Sequence, residues 1–183
     1  MNTPAHMALG LAVLGGRRQG DAAWLVAGAI LPDLLLFVAH FADGAVRAAA
    51  RDGVPVLNSV PVWAALLAAG WATKARPLVL VSAAALLHVL TDLPLHADDA
   101  RPHFWPLSDA VFRSPVSFWD GDHHGRLFGT LEGLLFAACL VAIWRRQTAA
   151  WAKGLTLAFG AAYAATFVHF VGHAFAGAHW AVW

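Results

Sequence analysis

Residues 22–41 read AAWLVAGAILPDLLLFVAHF. The run is long enough to cross about 30 Å of hydrocarbon as a helix, which takes about 20 apolar residues. Asp33 is its only formally charged side chain. This stretch sets the fold class, because similar runs recur at Pro77–Leu95, Leu127–Trp144 and Gly154–His173. A shorter one, about Leu57–Thr73, is a marginal fifth. The expectation is an all-α, polytopic membrane helical bundle. It has about five spanning helices plus an N-terminal half-helix in one integral membrane domain, residues 1–183.

Composition agrees. Of the 183 residues, 60% are hydrophobic and 13% charged, against roughly 25% charged in soluble domains. Mean hydropathy is +0.61. Disorder, coiled coil and collagen are excluded. A net charge of +1 gives no field to hold a polyanion, so no nucleic-acid partner is expected. The lone Cys139 excludes an internal disulfide and a cysteine zinc cluster. The implied partners are the lipid bilayer and a small-molecule or lipid substrate; oligomeric state is not legible.

Pro4–Gly15 is too short to span. Thr3 reads as its N-cap and Pro4 as its first helical residue. No Lys or Arg precedes it and no small-residue cleavage site follows, so it reads as mature structure rather than a signal peptide. Val54–Pro61 and His96–Arg126 read as polar connections, the second long enough to carry function. Trp24, Trp63, Trp71, Trp144 and Trp151 fall beside span ends, as in an interfacial belt. Trp105, Trp119, Trp180 and Trp183 lie outside the spans.

Alternating the five spans puts Arg17, Arg18, Lys74, Arg76, Arg145, Arg146 and Lys153 on one face, with Asp21 the only acid. Most other acids fall on the opposite face, with Arg47, Arg51, Arg101, Arg113 and Arg126. The positive-inside rule makes the first face cytoplasmic. All ten histidines then fall towards the other side: His6, His40, His88, His96, His103, His123, His124, His169, His173 and His179. That one-sidedness points to a site with a histidine-rich mouth.

An ionised Asp near a helix centre costs about 2.5–3.5 kcal/mol to insert, so Asp33 needs a partner. The bland alternative is a hydrogen-bonded Asp beside a Pro32 kink. His88 and Asp92, in LLHVLTDLPLH, are four apart and share a helix face. They form either a structural hydrogen bond or a pair of metal ligands. His96 continues the spacing, although Pro94 interrupts the last turn. Asp33 and His6 can reach the same depth. Nitrogen and oxygen donors without cysteine suit zinc, and also iron, manganese or nickel. Three or four such ligands plus water would be a catalytic style of site. The expected cofactor is one or two divalent ions, zinc first.

The long loop offers Asp98, Asp99, His103, Asp120, Asp122, His123 and His124. They are extra ligands, a second site, a general base, or simply a wet loop. Asp92, Asp99 and His103 are the candidates for acid–base work. Arg101 and Arg126 are candidate anion contacts. His169 and His173, again four apart, either line the cavity or sit at the interface. Paired with His88, either could instead ligate haem in an electron carrier. A third alternative is a non-catalytic metal-binding assembly or transport factor.

Four short motifs carry a resemblance: Ala5-His6-Met7-Ala8, Leu31-Pro32-Asp33, His88-x-x-x-Asp92 and Phe104-Trp105-Pro106-Leu107. In this order and in a membrane setting, the chain resembles the bacterial inner-membrane, metal-dependent hydrolases described as LexA-regulated or LexA-binding. The His-x-x-x-Asp helix is more distantly similar to that of zinc-dependent phospholipase C and nuclease families. The resemblance implies a hydrolase of the bacterial inner membrane with His6, Asp33, His88 and Asp92 as metal ligands. Two positions depart from the pattern. Leu35 stands where a second Asp is common, and Asn58-Ser59 where a histidine-bearing segment is expected.

Overall fold

The computed structural model describes residues 1–16, 18, 20–118 and 120–177. Arg17, Trp119, His179, Trp180 and Trp183 lie outside the described residues. Among those described there are only helices and loops: α1 (Thr3–Leu14), α2 (Asp21–Phe41), α3 (Gly44–Leu57), α4 (Val60–Ala72), α5 (Arg76–Asp92), α6 (Gly125–Arg146) and α7 (Ala150–Ala176). The all-α expectation is met. Helices α2, α6 and α7, and α5 with the 3-10 turn Leu93–Leu95, are each long and apolar enough to cross a membrane. Counting α3 and α4 as one broken span makes five.

The region around the fifth span differs from the sequence reading. Val54–Pro61 is not a connection. An amphipathic helix, α3, runs through Pro55 to Leu57, and only Asn58 and Ser59 separate it from α4. The two helices bend by 64°. Pro55 removes one backbone donor, and Ser59 starts the new helix by accepting from the Val62 N–H at 3.1 Å. Alone, α4 would be about 20 Å long, too short for the bilayer. Asp21 and Arg76, at the starts of α2 and α5, form a bidentate pair. Those helices therefore begin at the same end, and α3 with α4 brings the chain back to it.

Trp63 is also corrected. It is buried in α4, donating its indole N–H to the Leu57 carbonyl at 2.7 Å, and is not part of an interfacial belt. At the start of α1, Asn2 occupies the cap position and Thr3 is already helical. The Thr3 hydroxyl donates to Asp33 at 2.5 Å instead of capping. The half-helix is tied down at both ends. Arg146 donates to the Ala12 carbonyl at 2.7 Å and the Gly15 carbonyl at 3.2 Å, satisfying the orphan acceptors of its C-terminus.

Small residues let α2 and α5 touch. A Cβ on Gly28 would run into the Val81 carbonyl and lie 2.9 Å from the Ala84 Cβ. Gly28 thus permits backbone-to-backbone approach, and Ala29, Ala84 and Ala85 bury the rest of the seam. A second core joins α1, α6 and α7 through Phe136, Tyr163 and the small residues of α1.

Candidate metal centre

His6, His88 and Asp92 meet in the interior, none more than 2% exposed. One ligand atom from each lies within 4.8 Å of the others, a spacing that could hold a metal ion. His6 Nε2 is 2.9 Å from Asp92 Oδ1, and His88 Nε2 is 3.2 Å from Asp92 Oδ2. The two imidazole rings stack with centroids 3.5 Å apart. Asp33 Oδ1 approaches His88 Nε2 at 3.5 Å, and His96 Nε2 approaches Asp92 Oδ2 at 3.2 Å. The Met1 amine also reaches Asp92 Oδ1, at 2.5 Å. All five residues expected as metal ligands (His6, Asp33, His88, Asp92 and His96) therefore converge around the Asp92 carboxylate.

His88, His96 and His103 are oriented from behind, whereas His6 Nε2 lies 3.2 Å from the Met1 carbonyl. His88 Nδ1 donates to the Ala29 carbonyl at 2.7 Å. Ala29 lies on the turn before Pro32, and the close α2–α5 seam at Gly28 brings its carbonyl within reach. This bond fixes the tautomer and leaves the Nε2 lone pair facing Asp33 and Asp92. His96 Nδ1 is bonded to Asp99 Oδ2 at 2.6 Å, and His103 Nδ1 donates to the Asn58 carbonyl at 2.9 Å. The Nε2 atoms of His88, His96 and His103 are all buried without a hydrogen-bond partner. The short approaches to Asp92 and Asp33 are close in distance but lack hydrogen-bond geometry. A buried polar atom without a partner costs free energy. Nδ1 anchored and Nε2 bare is the arrangement in which histidine binds metals, so the donor set fits a divalent cation.

Outside the spans, burial alone would lower the pKa of His96. Asp92 and Asp99, one at each ring nitrogen, outweigh it and hold His96 above its ordinary value. Burial raises Asp99, but its bond to His96 more than reverses this. His103 is pushed down by burial and stays neutral.

Other candidates lie elsewhere. His103 is not in the tight cluster, although it is close enough to Asp92 and His96 to feel their charge. Asp98, Asp120 and His123 form a second group whose ligand atoms also lie within 4.8 Å, but on the surface. His123 Nδ1 is already bonded to Asp120 at 2.8 Å. His124 is exposed and makes the left-handed turn before α6. Arg126 lies over the Phe175 ring at 5.7 Å, not in the site. His169 and His173 stack on each other along α7 with centroids 6.4 Å apart. Leu35, one of the two positions that depart from the resembled pattern, packs on Gly53 of α3. Asn58 is buried and donates to the carbonyls of Pro32 at 2.9 Å and Val54 at 3.1 Å. It splints the Pro32 region against the α3–α4 break.

One buried acid near the site escaped the sequence reading. Glu132 is a buried carboxylate in α6 that accepts from the Tyr163 hydroxyl at 3.0 Å and the Asn2 N–H at 3.3 Å. It holds the start of α1, and hence His6, in place. A lone acid in the apolar run GTLEGLLFAACL is the same signal that singled out Asp33. A cavity of about 400 Å³ opens above the cluster, lined by Asp33, Asp92, His96 and Asp99 among others. No family model, no curated protein and no solved structure matches the chain.

Proposed function

We propose that this protein is a membrane-embedded, metal-dependent hydrolase acting on a phosphoester or other ester, lipid or lipid-linked, at the bilayer surface. The observation that carries this reading is the His88 side chain. Its Nδ1 is anchored on the Ala29 carbonyl while its Nε2 is desolvated, unbonded and faces two carboxylates. A divalent cation, zinc first among the candidates, would sit among His6, His88 and Asp92, with Asp33 and His96 at hand. Such a cation polarises an ester oxygen and makes water a nucleophile near neutral pH.

The chain's own residues supply the rest. Asp92 offers one oxygen towards His6 and the other towards His88 and His96, so it can tie ligands from α1 and α5 together. His103, neutral and with a bare Nε2, has the lone pair that a general base needs. The His96–Asp99 pair can hold a proton beside the cavity.

The resemblance to LexA-regulated inner-membrane hydrolases fits this assignment. With it comes a bacterial inner-membrane location, and the charge sorting of the loops turns the site towards the non-cytoplasmic side. A non-catalytic metal-binding factor is the competing reading. It is favoured by Leu35, which packs on Gly53 and supplies no ligand. The haem reading is disfavoured: His88 is stacked on His6 and faces carboxylates.

Elemental analysis of detergent-purified protein, beside the His88→Ala variant, tests the proposal. The expected result is stoichiometric metal in the wild type, its loss in the variant, and metal-dependent turnover on a phosphoester and ester panel. Metal-free wild type overturns the metal centre. Metal without turnover on the panel replaces the hydrolase with the non-catalytic factor. A Soret band would restore haem.

A further inference from the structure

The cavity above the cluster has two unlike walls. Its floor is polar and acidic: Asp33, Asp92, Asp99 and His96. Another side is apolar, formed by Leu36 and Phe37 of α2 and Phe118 of the loop. Arg101 is the only Lys or Arg side chain lining it among the described residues. Its Nη1 is buried and has no hydrogen-bond partner. Asp99 feels the Arg101 charge, yet no described carboxylate is in ion-pair contact with it. A guanidinium that lines a cavity and makes no ion pair there can turn its accessible N–H groups to an anionic acceptor.

The apolar wall says what the anion is attached to. Phe37 is 47% exposed, and Leu34 and Phe41 on the same half of α2 are 41% and 79% exposed. The cavity wall is thus continuous with the outward apolar surface of α2. A ligand with its charged head at Arg101 can lay a hydrocarbon chain along Phe37 without leaving an apolar environment. The planar guanidinium fork matches two oxygens of a phosphoryl group.

We infer that Arg101 is a substrate-recognition residue that binds the phosphoryl group of an anionic amphiphile in the cavity above the His6–His88–Asp92 cluster. This deepens the proposed function by naming the substrate class, and it rests on that reading in taking the cluster as a cation centre. Three carboxylates on the floor would repel an anion; a cation among them removes that repulsion. Phosphoryl binding therefore needs both a loaded centre and Arg101. A soluble phosphate ester and a phospholipid share the head chemistry and differ in use of the apolar wall.

The test is titration of zinc-loaded, detergent-purified protein with two probes, inorganic phosphate and short-chain phosphatidic acid. Wild type, Arg101→Ala and Arg101→Lys are compared, with metal content measured in each. Phosphatidic acid is expected to bind Arg101→Ala about ten- to a hundredfold more weakly than wild type, the range expected for losing a charge-assisted hydrogen bond. Arg101→Lys should fall between, because it keeps the charge but not the fork. Metal content should be unchanged in both variants, which also shows that the centre is still assembled. Equal affinity of wild type and Arg101→Ala for phosphatidic acid overturns the role of Arg101. Inorganic phosphate binding as tightly as phosphatidic acid overturns the amphiphile. Arg101-dependent binding of phosphatidic acid by wild type stripped of metal would overturn the need for a loaded centre and leave Arg101 standing.

Discussion

Two groups of histidine and aspartate have ligand atoms at metal-binding spacing, His6–His88–Asp92 and Asp98–Asp120–His123. The first is buried on helices. His88 is aligned from behind by the Ala29 carbonyl, and its Nε2 is left without a hydrogen-bond partner. The second is on the loop surface, and His123 Nδ1 is already bonded to Asp120. Spacing does not separate them; desolvation does. Water can satisfy the loop group at little cost, whereas the buried group carries a free-energy deficit that a cation can remove.

The largest test of that contrast is to remove one imidazole from each group. His88→Ala should weaken zinc binding by at least about 100-fold, more than changing an outer-shell partner typically does. His123→Ala should leave metal content unchanged. Zinc titration with a competing chelator reads both. Equal losses would mean that the loop group is a second centre, and loss only in His123→Ala would invert the assignment.

The second test asks whether the buried group depends on helix packing. Gly28→Ala places a methyl against the Val81 carbonyl at the seam that brings Ala29 to His88. Overpacking of this kind costs about 1–3 kcal/mol, and here it should weaken zinc binding as well as lower the melting temperature in detergent. Gly154→Ala meets nothing within 4 Å. It should be neutral or stabilising by up to about 1 kcal/mol, since alanine is the better helix former. Neither change should alter the loop group. A Gly28→Ala protein with wild-type melting and zinc affinity would show that the close seam does not position His88.

These contrasts also show where the sequence was readable. Long apolar runs fixed four spans within a few residues, because length and hydropathy alone decide whether a helix can cross. His88 and Asp92 were legible because a helix puts residues four apart on one face. Asp33 was legible because an intramembrane acid demands a partner. Helix α3 was not, because Gly53, Pro55 and its charges read locally as a connection, whereas burial of Ala50 and Val54 against neighbours holds it helical. The role of Asn58 was hidden for a similar reason. Its donors go to carbonyls of Pro32 and Val54, a match visible only once α2 and α3 are packed together. Glu132 carried the same signal as Asp33, and its neighbours Tyr163 and Asn2 are far away in the chain.

The third test moves to the outer shell. Asp99 holds His96 Nδ1 at 2.6 Å, so that His96 Nε2 faces Asp92. Asp99→Asn keeps the size but removes the charge that fixes the ring. Zinc affinity should fall about tenfold, the lower end of outer-shell effects. The same change at Asp120, which holds His123 in the same way, should have no effect on zinc. Equal zinc affinity in wild type and Asp99→Asn would show that His96 stands outside the centre.

The smallest effect belongs to the loop pair and is a titration. The hydrogen bond that His123 donates to Asp120 raises His123 above its ordinary 6.5, and the same bond holds Asp120 below its ordinary 3.8. The contribution of the raised histidine is fully present below the unfolded value and is lost as pH rises through the folded one. On the acid side, the aspartate's share is lost as pH falls through its lowered value. The pair is solvent-exposed, so salt should weaken it. In an NMR titration, the His123 midpoint should lie above 6.5, shift down with added salt, and return towards that value in Asp120→Asn. Zinc at stoichiometric concentration should leave the curve unchanged, because the proposed ion site is the buried group. A zinc-dependent shift of His123 in the His88→Ala background, equal to that in wild type, would place the ion in the loop and break the contrast.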